Sequence, residues 1–301
     1  SGRLNRLAES ATLAMARMSR ELQAKGINII ALSLGEPDFD TPEFIKEAAK
    51  KAIDDNFSHY TPVPGLPELR SSISAKFMRD NHLEYTPDQI VVSTGAKQSL
   101  ANVCLSLLDP EDEVLLPCPY WVSYAEIIKL AEGVPVEIKS TIDSDFKITP
   151  NQLEASITSK TKMIMFSSPC NPSGTVYTKS ELEAIAKMLE KYPNIYIVSD
   201  EIYEHINFTD KHYSIGTISS MKDRTVTVNG VSKGFAMTGW RVGFIGAPLW
   251  IAKACNKIQG QVTSATCAIA QKAAERAMLA EPRSTTKEMK ETFLKRRNML
   301  V

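Results

Sequence analysis

Four apolar runs in this chain each end in a loop whose side chains could do chemistry. The first, Gln89–Ser93, runs into Thr94-Gly95-Ala96-Lys97-Gln98-Ser99 and then a helical pattern. A glycine turn feeding a helix N-terminus offers backbone N–H groups and the positive end of the helix dipole, which suits a phosphate but also serves as a plain connection. Neither G-x-G-x-x-G nor G-x-x-x-x-G-K-[ST] occurs, so no nucleotide fingerprint accounts for it. After Lys162–Phe166 comes Ser167-Ser168-Pro169-Cys170-Asn171-Pro172-Ser173-Gly174-Thr175. Its two prolines stiffen the turn around Asn171, which is either held toward a ligand or chosen for turn geometry. Asp200 follows the apolar run Ile195–Ser199 and precedes Glu201-Ile202-Tyr203. A carboxylate so close to a buried strand either needs a cation or caps a helix. The fourth loop, after Thr225–Asn229, reads Gly230-Val231-Ser232-Lys233-Gly234-Phe235-Ala236-Met237-Thr238-Gly239-Trp240-Arg241. Lys233 among small residues is a candidate Schiff-base amine, and Arg241 a candidate anion ligand.

Taken as a set, these loops supply a phosphate cradle at Gly95, Ala96 and Lys97, an arginine, a lysine amine, an acid in need of a cation, and the ring-facing pair Asn171 and Tyr203. Pyridoxal phosphate, which pairs a lysine Schiff base with an acid at its pyridine nitrogen, asks for that set.

The elements that must hold the loops alternate along the chain. Strands are expected at Gln89–Ser93, Glu113–Leu116, Val134–Lys139, Lys162–Phe166, Ile195–Ser199, Thr225–Asn229 and Val242–Gly246. Helices are expected at Lys97–Leu108, Trp121–Leu130 and Thr178–Glu190, the last opened by the capping box Thr178-Lys179-Ser180-Glu181. This alternation predicts a three-layer α/β/α fold around a mostly parallel sheet, with ligands beyond the carboxyl ends of its strands. Upstream, Thr41 is expected to cap a helix with Pro42 at its first position and Phe44, Ile45, Ala48, Ala49, Ala52 and Ile53 on its apolar face. A second helix carries Leu66, Leu69, Ile73 and Phe77, and helices return at Trp250–Gln259, Ala265–Leu279 and Ser284–Val301.

The 35 basic and 35 acidic residues among 301 cancel, which removes the electrostatic case for nucleic acid or an anionic membrane as partner. Apolar stretches such as 162–166 and 195–198 are strand-length, far short of the ~20 residues a membrane helix needs. No signal peptide is read at the N-terminus. Cys104, Cys118, Cys170, Cys255 and Cys267 are scattered without C-x-x-C spacing, and the histidines lack ligand spacing, so neither a disulfide framework nor a metal site is expected. That pattern fits a cytoplasmic protein.

In these loops, and in Ser33-Leu34-Gly35-Glu36-Pro37-Asp38-Phe39-Asp40-Thr41-Pro42, Tyr60-Thr61-Pro62 with Gly65 and Leu69-Arg70, and Pro119-Tyr120-Trp121-Val122-Ser123-Tyr124, the chain resembles the fold-type I pyridoxal-phosphate aminotransferases, nearest the bacterial and plant-type aspartate branch. The resemblance covers nearly the whole chain. It implies that Lys233 binds the cofactor covalently and shuttles the substrate α-proton, that Asp200 keeps the pyridine nitrogen protonated, and that Asn171 and Tyr203 hydrogen-bond the 3′ oxygen. It further implies a phosphate held by Arg241, Gly95, Ala96, Lys97 and Ser232, with Tyr60 reaching in from a second subunit of a homodimer. Trp121 would stack on the ring, while Gly35, Trp121 and Asn171 would meet the substrate.

The activity implied is ping-pong transfer of an amino group between an L-amino acid, aspartate or glutamate foremost, and a 2-oxo acid. Alternatives are aromatic, alanine or prephenate specificity, carbon–sulfur lyase chemistry, or a cofactor-binding chain with little activity. A non-catalytic scaffold would be expected to lack Lys233 or Asp200. An unrelated serine hydrolase has no G-x-S-x-G elbow here. The resemblance divides the chain into an N-terminal segment at 1–40, a cofactor-binding large domain at 41–285, and at 286–301 the start of a helix leading to a C-terminal small domain. Because that small domain and its carboxylate-clamping arginine have no counterpart in this sequence, the expectation is a truncated chain that transaminates poorly.

Overall fold

The computed structural model describes residues 2–30, 32, 34–209, 211–280 and 286–301. Ser33 and Ser284, named above, lie outside the described residues. Seven strands form one sheet: β1 Ile90–Ser93, β2 Glu113–Pro117, β3 Val134–Ile138, β4 Thr161–Ser167, β5 Tyr196–Asp200, β6 Thr225–Gly230 and β7 Gly243–Gly246. Their order is β1-β7-β6-β5-β4-β2-β3. The pairs β2–β3, β2–β4, β4–β5 and β5–β6 are parallel, whereas β7 runs antiparallel to both β1 and β6. All seven expected strands are present, each within two residues of its expected ends.

Helices cover both faces, giving the three layers. They are α1 Gly2–Asn5, α2 Ala11–Ala24, α3 Glu43–Asp54, α4 Pro67–Lys76, α5 Ala96–Leu107, α6 Ser123–Leu130, α7 Pro150–Ala155, α8 Lys179–Leu189, α9 Leu249–Val262, α10 Ala268–Leu279 and α11 Lys287–Leu300. Period-two alternation along the strands splits the core. Met163 and Met165 of β4 pack with Leu100, Tyr124, Ile128 and Ile251, while Ile164 and Phe166 pack with Leu182, Ile185 and Leu189. A third cluster joins Ile90, Val92 and Phe244 to Ile45, Leu69, Ile73 and Ala274. A strand buried on both faces must be apolar throughout, which is why these runs are continuous rather than alternating.

The capping box forms as expected: Thr178 N donates to the Glu181 carboxylate at 2.7 Å, and Glu181 N donates to Thr178 Oγ1 at 3.3 Å. Three local expectations need correction. Thr41 does not cap a helix; Pro42 is the N-cap, α3 starts at Glu43, and the Thr41 hydroxyl instead donates to Ala236 O at 2.8 Å. Tertiary contact with the Lys233 loop outcompetes the local cap. The helix expected from Trp121 starts at Ser123, which leaves Trp121 in the loop after β2. Phe77 belongs to a π-helical turn, Phe77–Asn81, rather than to α4 itself. Helix α2 was not anticipated, because its apolar side chains find little to pack on: Leu13, Met15 and Met18 are exposed and only Ala16 is buried.

No helix among the described residues is long and apolar enough to cross a membrane. The reversed strand sets a tight constraint where β7 begins. A Cβ on Gly243 would lie 2.1 Å from Ala96 N and 2.5 Å from Gly95 C, both backbone atoms. Gly243→Ala is therefore expected to cost about 3 kcal/mol and to lower Tm by several degrees. A thermal melt indistinguishable from the parent protein's would show that the turn at residues 94–96 can move aside.

Candidate active site

Strands β1, β2, β4, β5 and β6 all end at one edge of the sheet, and the reversed β7 starts there. Residues far apart in sequence are thereby delivered to one place. Lys233 follows β6, Asp200 closes β5, Asn171 follows β4, Gly95 follows β1, and Arg241 precedes β7.

Asp200 is 4% exposed. Its carboxylate accepts from Tyr124 Oη at 2.7 Å and from Ile202 N at 3.2 Å, neither of them a cation. No helix follows it, so the cap reading fails; the carboxylate bridges a short turn instead. Burial pushes its pKa up to about 6, against the pull of those two donors. Tyr124 is itself buried, on α6, and burial together with the Asp200 charge drives its phenol far above the usual range.

Tyr203 Oη accepts from Asn171 Nδ2 at 3.0 Å, so these two expected partners do meet. Burial raises the Tyr203 phenol to about 12, while the Asn171 donor pulls it down. The Asn171 loop is closed by Gly174 N donating to Cys170 O at 2.8 Å and Cys170 N donating to Thr175 O at 2.9 Å. The peptide bonds before Pro119, Pro169 and Pro172 are cis.

The Lys233 ammonium donates to Gly35 O and lies 5.7 Å from the Tyr203 ring centroid. Desolvation lowers its pKa, and Arg241 adds to the effect against Glu36 and Asp200. A lysine held in this way keeps more of its amine neutral than a solvated one. The segment 35–41 is strapped over this loop by Thr238 donating to Glu36, by the Thr41 bond and by Trp240 Nε1 donating to Thr41 Oγ1 at 3.1 Å.

On the anion side, Gly95 is the N-cap of α5 with φ +87°, and a Cβ there would lie 2.2 Å from Arg241 Nη2. Only glycine allows that backbone angle and that approach together. The Arg241 guanidinium donates to Thr238 O at 2.8 Å and reaches Thr94 O at 3.5 Å. Beside it the first N–H groups of α5, at Ala96 and Lys97, have no intrahelical acceptor by helix geometry. The Lys97 ammonium lies 4.9 Å from the Trp121 ring centroid, and desolvation followed by Arg241 lowers its pKa. Ser232 is buried next to Lys233.

Among the expected residues, Tyr60 is 99% exposed on the surface. Tyr124 is the residue sequence reasoning missed as a site member. The signal was available: Trp121 and Tyr124 are three apart where the loop after β2 runs into α6, and their rings meet edge-on at 5.6 Å. What could not be read was that a strand 76 residues further on would end under the hydroxyl.

Because the folded chain holds the Asp200 proton more tightly than the unfolded chain, stability is lost as pH rises from the ordinary carboxylate range through about 6. The full loss is about 3 kcal/mol. Asp200→Asn in cofactor-free protein should therefore raise Tm at pH 8 and leave it unchanged near pH 4, measured by thermal melts across that range. An equal Tm at pH 8 would show that the carboxylate is solvated.

The match to the family model of aminotransferase class I and II extends over residues 27–301. The chain is 46% identical over 300 residues to the aspartate/prephenate aminotransferase of Cereibacter sphaeroides, covering 99% of this chain and 75% of that one. It is 47% identical over 302 residues to the enzyme of the same name from Nitrosomonas europaea, covering 100% and 76%. Among solved structures, aspartate aminotransferase from Thermus thermophilus with maleate superposes with a TM-score of 0.97 at 40% identity, covering 100% of this chain and 78% of that one. The aromatic aminotransferase of Pyrococcus horikoshii gives a TM-score of 0.87 at 40% identity, covering 93% and 76%. The chain thus spans about three quarters of the length of these relatives.

Proposed function

This chain belongs to the class I and II aminotransferases, and from that premise we propose that it uses pyridoxal phosphate to move an amino group from aspartate or glutamate to a 2-oxo acid, prephenate among the candidates. The observation that carries the reading is a buried carboxylate without a cationic hydrogen-bond donor, Asp200, at the same sheet edge as a desolvated lysine and an arginine-lined helix N-terminus. The names of the relatives support the choice of substrates.

The residues present fit the cofactor. Neither hydrogen-bond donor to Asp200 is a cation, and a protonated pyridine nitrogen would be one; as its counter-charge, that nitrogen would hold the carboxyl ionised. A Cβ on Gly95 would push the Arg241 guanidinium aside, and helix N–H groups with a guanidinium suit a dianionic phosphate. Ser232 adds a hydroxyl on the Lys233 side. Asn171 and Tyr203 are hydrogen-bonded to each other, and together they would donate to the oxygen on the cofactor's 3′ carbon. Trp121 offers an aromatic face for stacking. Bound there, pyridoxal phosphate supplies an aldehyde carbon that carries the amino group and a ring that accepts the electron pair released at the amino acid α-carbon.

The chain's own residues do the rest. The Lys233 amine, its pKa lowered by desolvation, takes the α-proton and returns it at the carbon that receives the amino nitrogen. Gly35 O and the bonds from Thr238 and Thr41 hold the 35–41 segment against the loop that carries that amine. Gly35, Trp121 and Asn171 line the place where the substrate would lie. The first amino acid leaves as a 2-oxo acid and a second 2-oxo acid leaves as an amino acid.

The protein should turn yellow with pyridoxal phosphate, and borohydride should fix the label on Lys233 in a peptide map. Lys233→Ala carrying a reducible label would refute the assignment.

The exposure of Tyr60 supports a role in a neighbouring subunit's site, and hence a homodimer. Sedimentation should give twice the chain mass, and Tyr60→Phe should weaken pyridoxal-phosphate affinity severalfold. A monomer with parental affinity would rule out a shared site.

A further inference from the structure

Next to Tyr203 in the chain begins a buried ionic cluster that the proposed reaction does not use. Its centre is Glu204, 5% exposed in its side chain, directly after Tyr203. Glu204 Oε1 accepts from the Lys76 ammonium and from Asn229 Nδ2 at 2.8 Å; Oε2 accepts from Asn81 Nδ2 at 2.5 Å. Lys76, 2% exposed at the end of α4, also donates to Asn81 Oδ1 at 2.6 Å and lies 3.8 Å from Asp80. His205 Nε2 lies 3.4 Å from Glu204 Oε1. Burial alone would push the Glu204 carboxyl up; Lys76, with His205 and His212, outweighs it and holds the carboxyl well below the usual range.

The partners come from three separate parts of the chain, two of which carry the chemistry. Glu204 belongs to the loop that bears Asp200 and Tyr203. Asn229 lies near the end of β6, four residues before Lys233, and its own Oδ1 accepts from Gly230 N at 2.8 Å. The two loops touch again at His205: a Cβ on Gly234 would lie 2.4 Å from its ring, and Phe235 packs edge-on to it at 5.6 Å. Glu201 N donates to Val228 O at 2.8 Å beside them, and the Glu201 carboxylate is tied by Ser199 Oγ at 2.9 Å and His212 Nε2 at 2.8 Å. Lys76 and Asn81 anchor the whole to α4 and its π-helical turn.

A buried ion pair contributes little net stability, since desolvation offsets its attraction and an apolar pair of equal volume fills the space as well. What a fully satisfied carboxylate provides is a single arrangement of its donors. We propose that Glu204 is a positioning residue that locks the Asp200–Tyr203 loop to the Lys233 loop, so that acid, phenol and amine keep a fixed mutual geometry toward the cofactor. The inference rests on the proposed use of pyridoxal phosphate.

Two variants test it. Asn229→Ala removes the hydrogen bond by which Glu204 holds the Lys233 loop and leaves the Lys76–Glu204 pair intact, so no charge is stranded. The double variant Lys76→Met/Glu204→Gln removes both charges together, which avoids the unpaired lysine that Glu204→Gln alone would bury. Each is loaded with pyridoxal phosphate, and two quantities are read without turnover: the pH midpoint of the visible absorbance and the affinity for the cofactor. Both variants should shift the midpoint by about half a pH unit or more and weaken affinity about tenfold, because the amine and its partners lose register. A parental midpoint and affinity in both, with only Tm lowered, would overturn the proposal and leave Glu204 a scaffold residue. A parent protein that never turns yellow would overturn the cofactor reading and this inference with it.

Discussion

Burying the Asp200 carboxylate without a cationic hydrogen-bond donor is the constraint around which the rest of the site is organised. A charge that is 4% exposed costs several kcal/mol unless something compensates it. Within the chain the compensation is partial: a tyrosine hydroxyl, one backbone N–H and a smaller effect of the Lys233 charge leave the pKa near 6. The remaining compensation is available to a cationic ligand. The same burial that costs the fold stability therefore favours a positively charged ring nitrogen and gives it a fixed counter-charge.

That constraint propagates outward through the sheet. Asp200 can be buried only because β5 lies between β4 and β6 with helices on both faces. The same layering desolvates Tyr203 and Lys233, each of which follows a central strand. The anion side depends on the one reversed strand. If β7 ran parallel to its neighbours, Arg241 would enter at the opposite edge, far from the α5 N-terminus. Reversal places it against Gly95, where a Cβ would displace the Arg241 guanidinium, and brings the Gly95–Ala96 backbone so close to Gly243 that Gly243 admits no side chain.

Much of this was legible in the residues. The seven strands showed as apolar runs because a doubly covered strand has no polar face, and the capping box at Thr178 showed because both partners are local. Lys233, Asp200, Asn171, Tyr203, Arg241 and Gly95 could be picked out because each follows or precedes such a run. Expectations failed where a distant segment competed with a local one. Thr41 gave up its cap for Ala236 O.

The sequence by itself determined the alternation of strand and helix, the loops that carry polar groups, and the set of side chains that suits pyridoxal phosphate, because all three are written in short windows of residue type. Only the tertiary structure decided that β7 runs backward, that Tyr124 stands over Asp200, and that Glu204 joins the two reactive loops to Lys76 and Asn81. Those are contacts between segments tens to more than a hundred residues apart. Their existence depends on strand order and depth of burial, which no local pattern encodes.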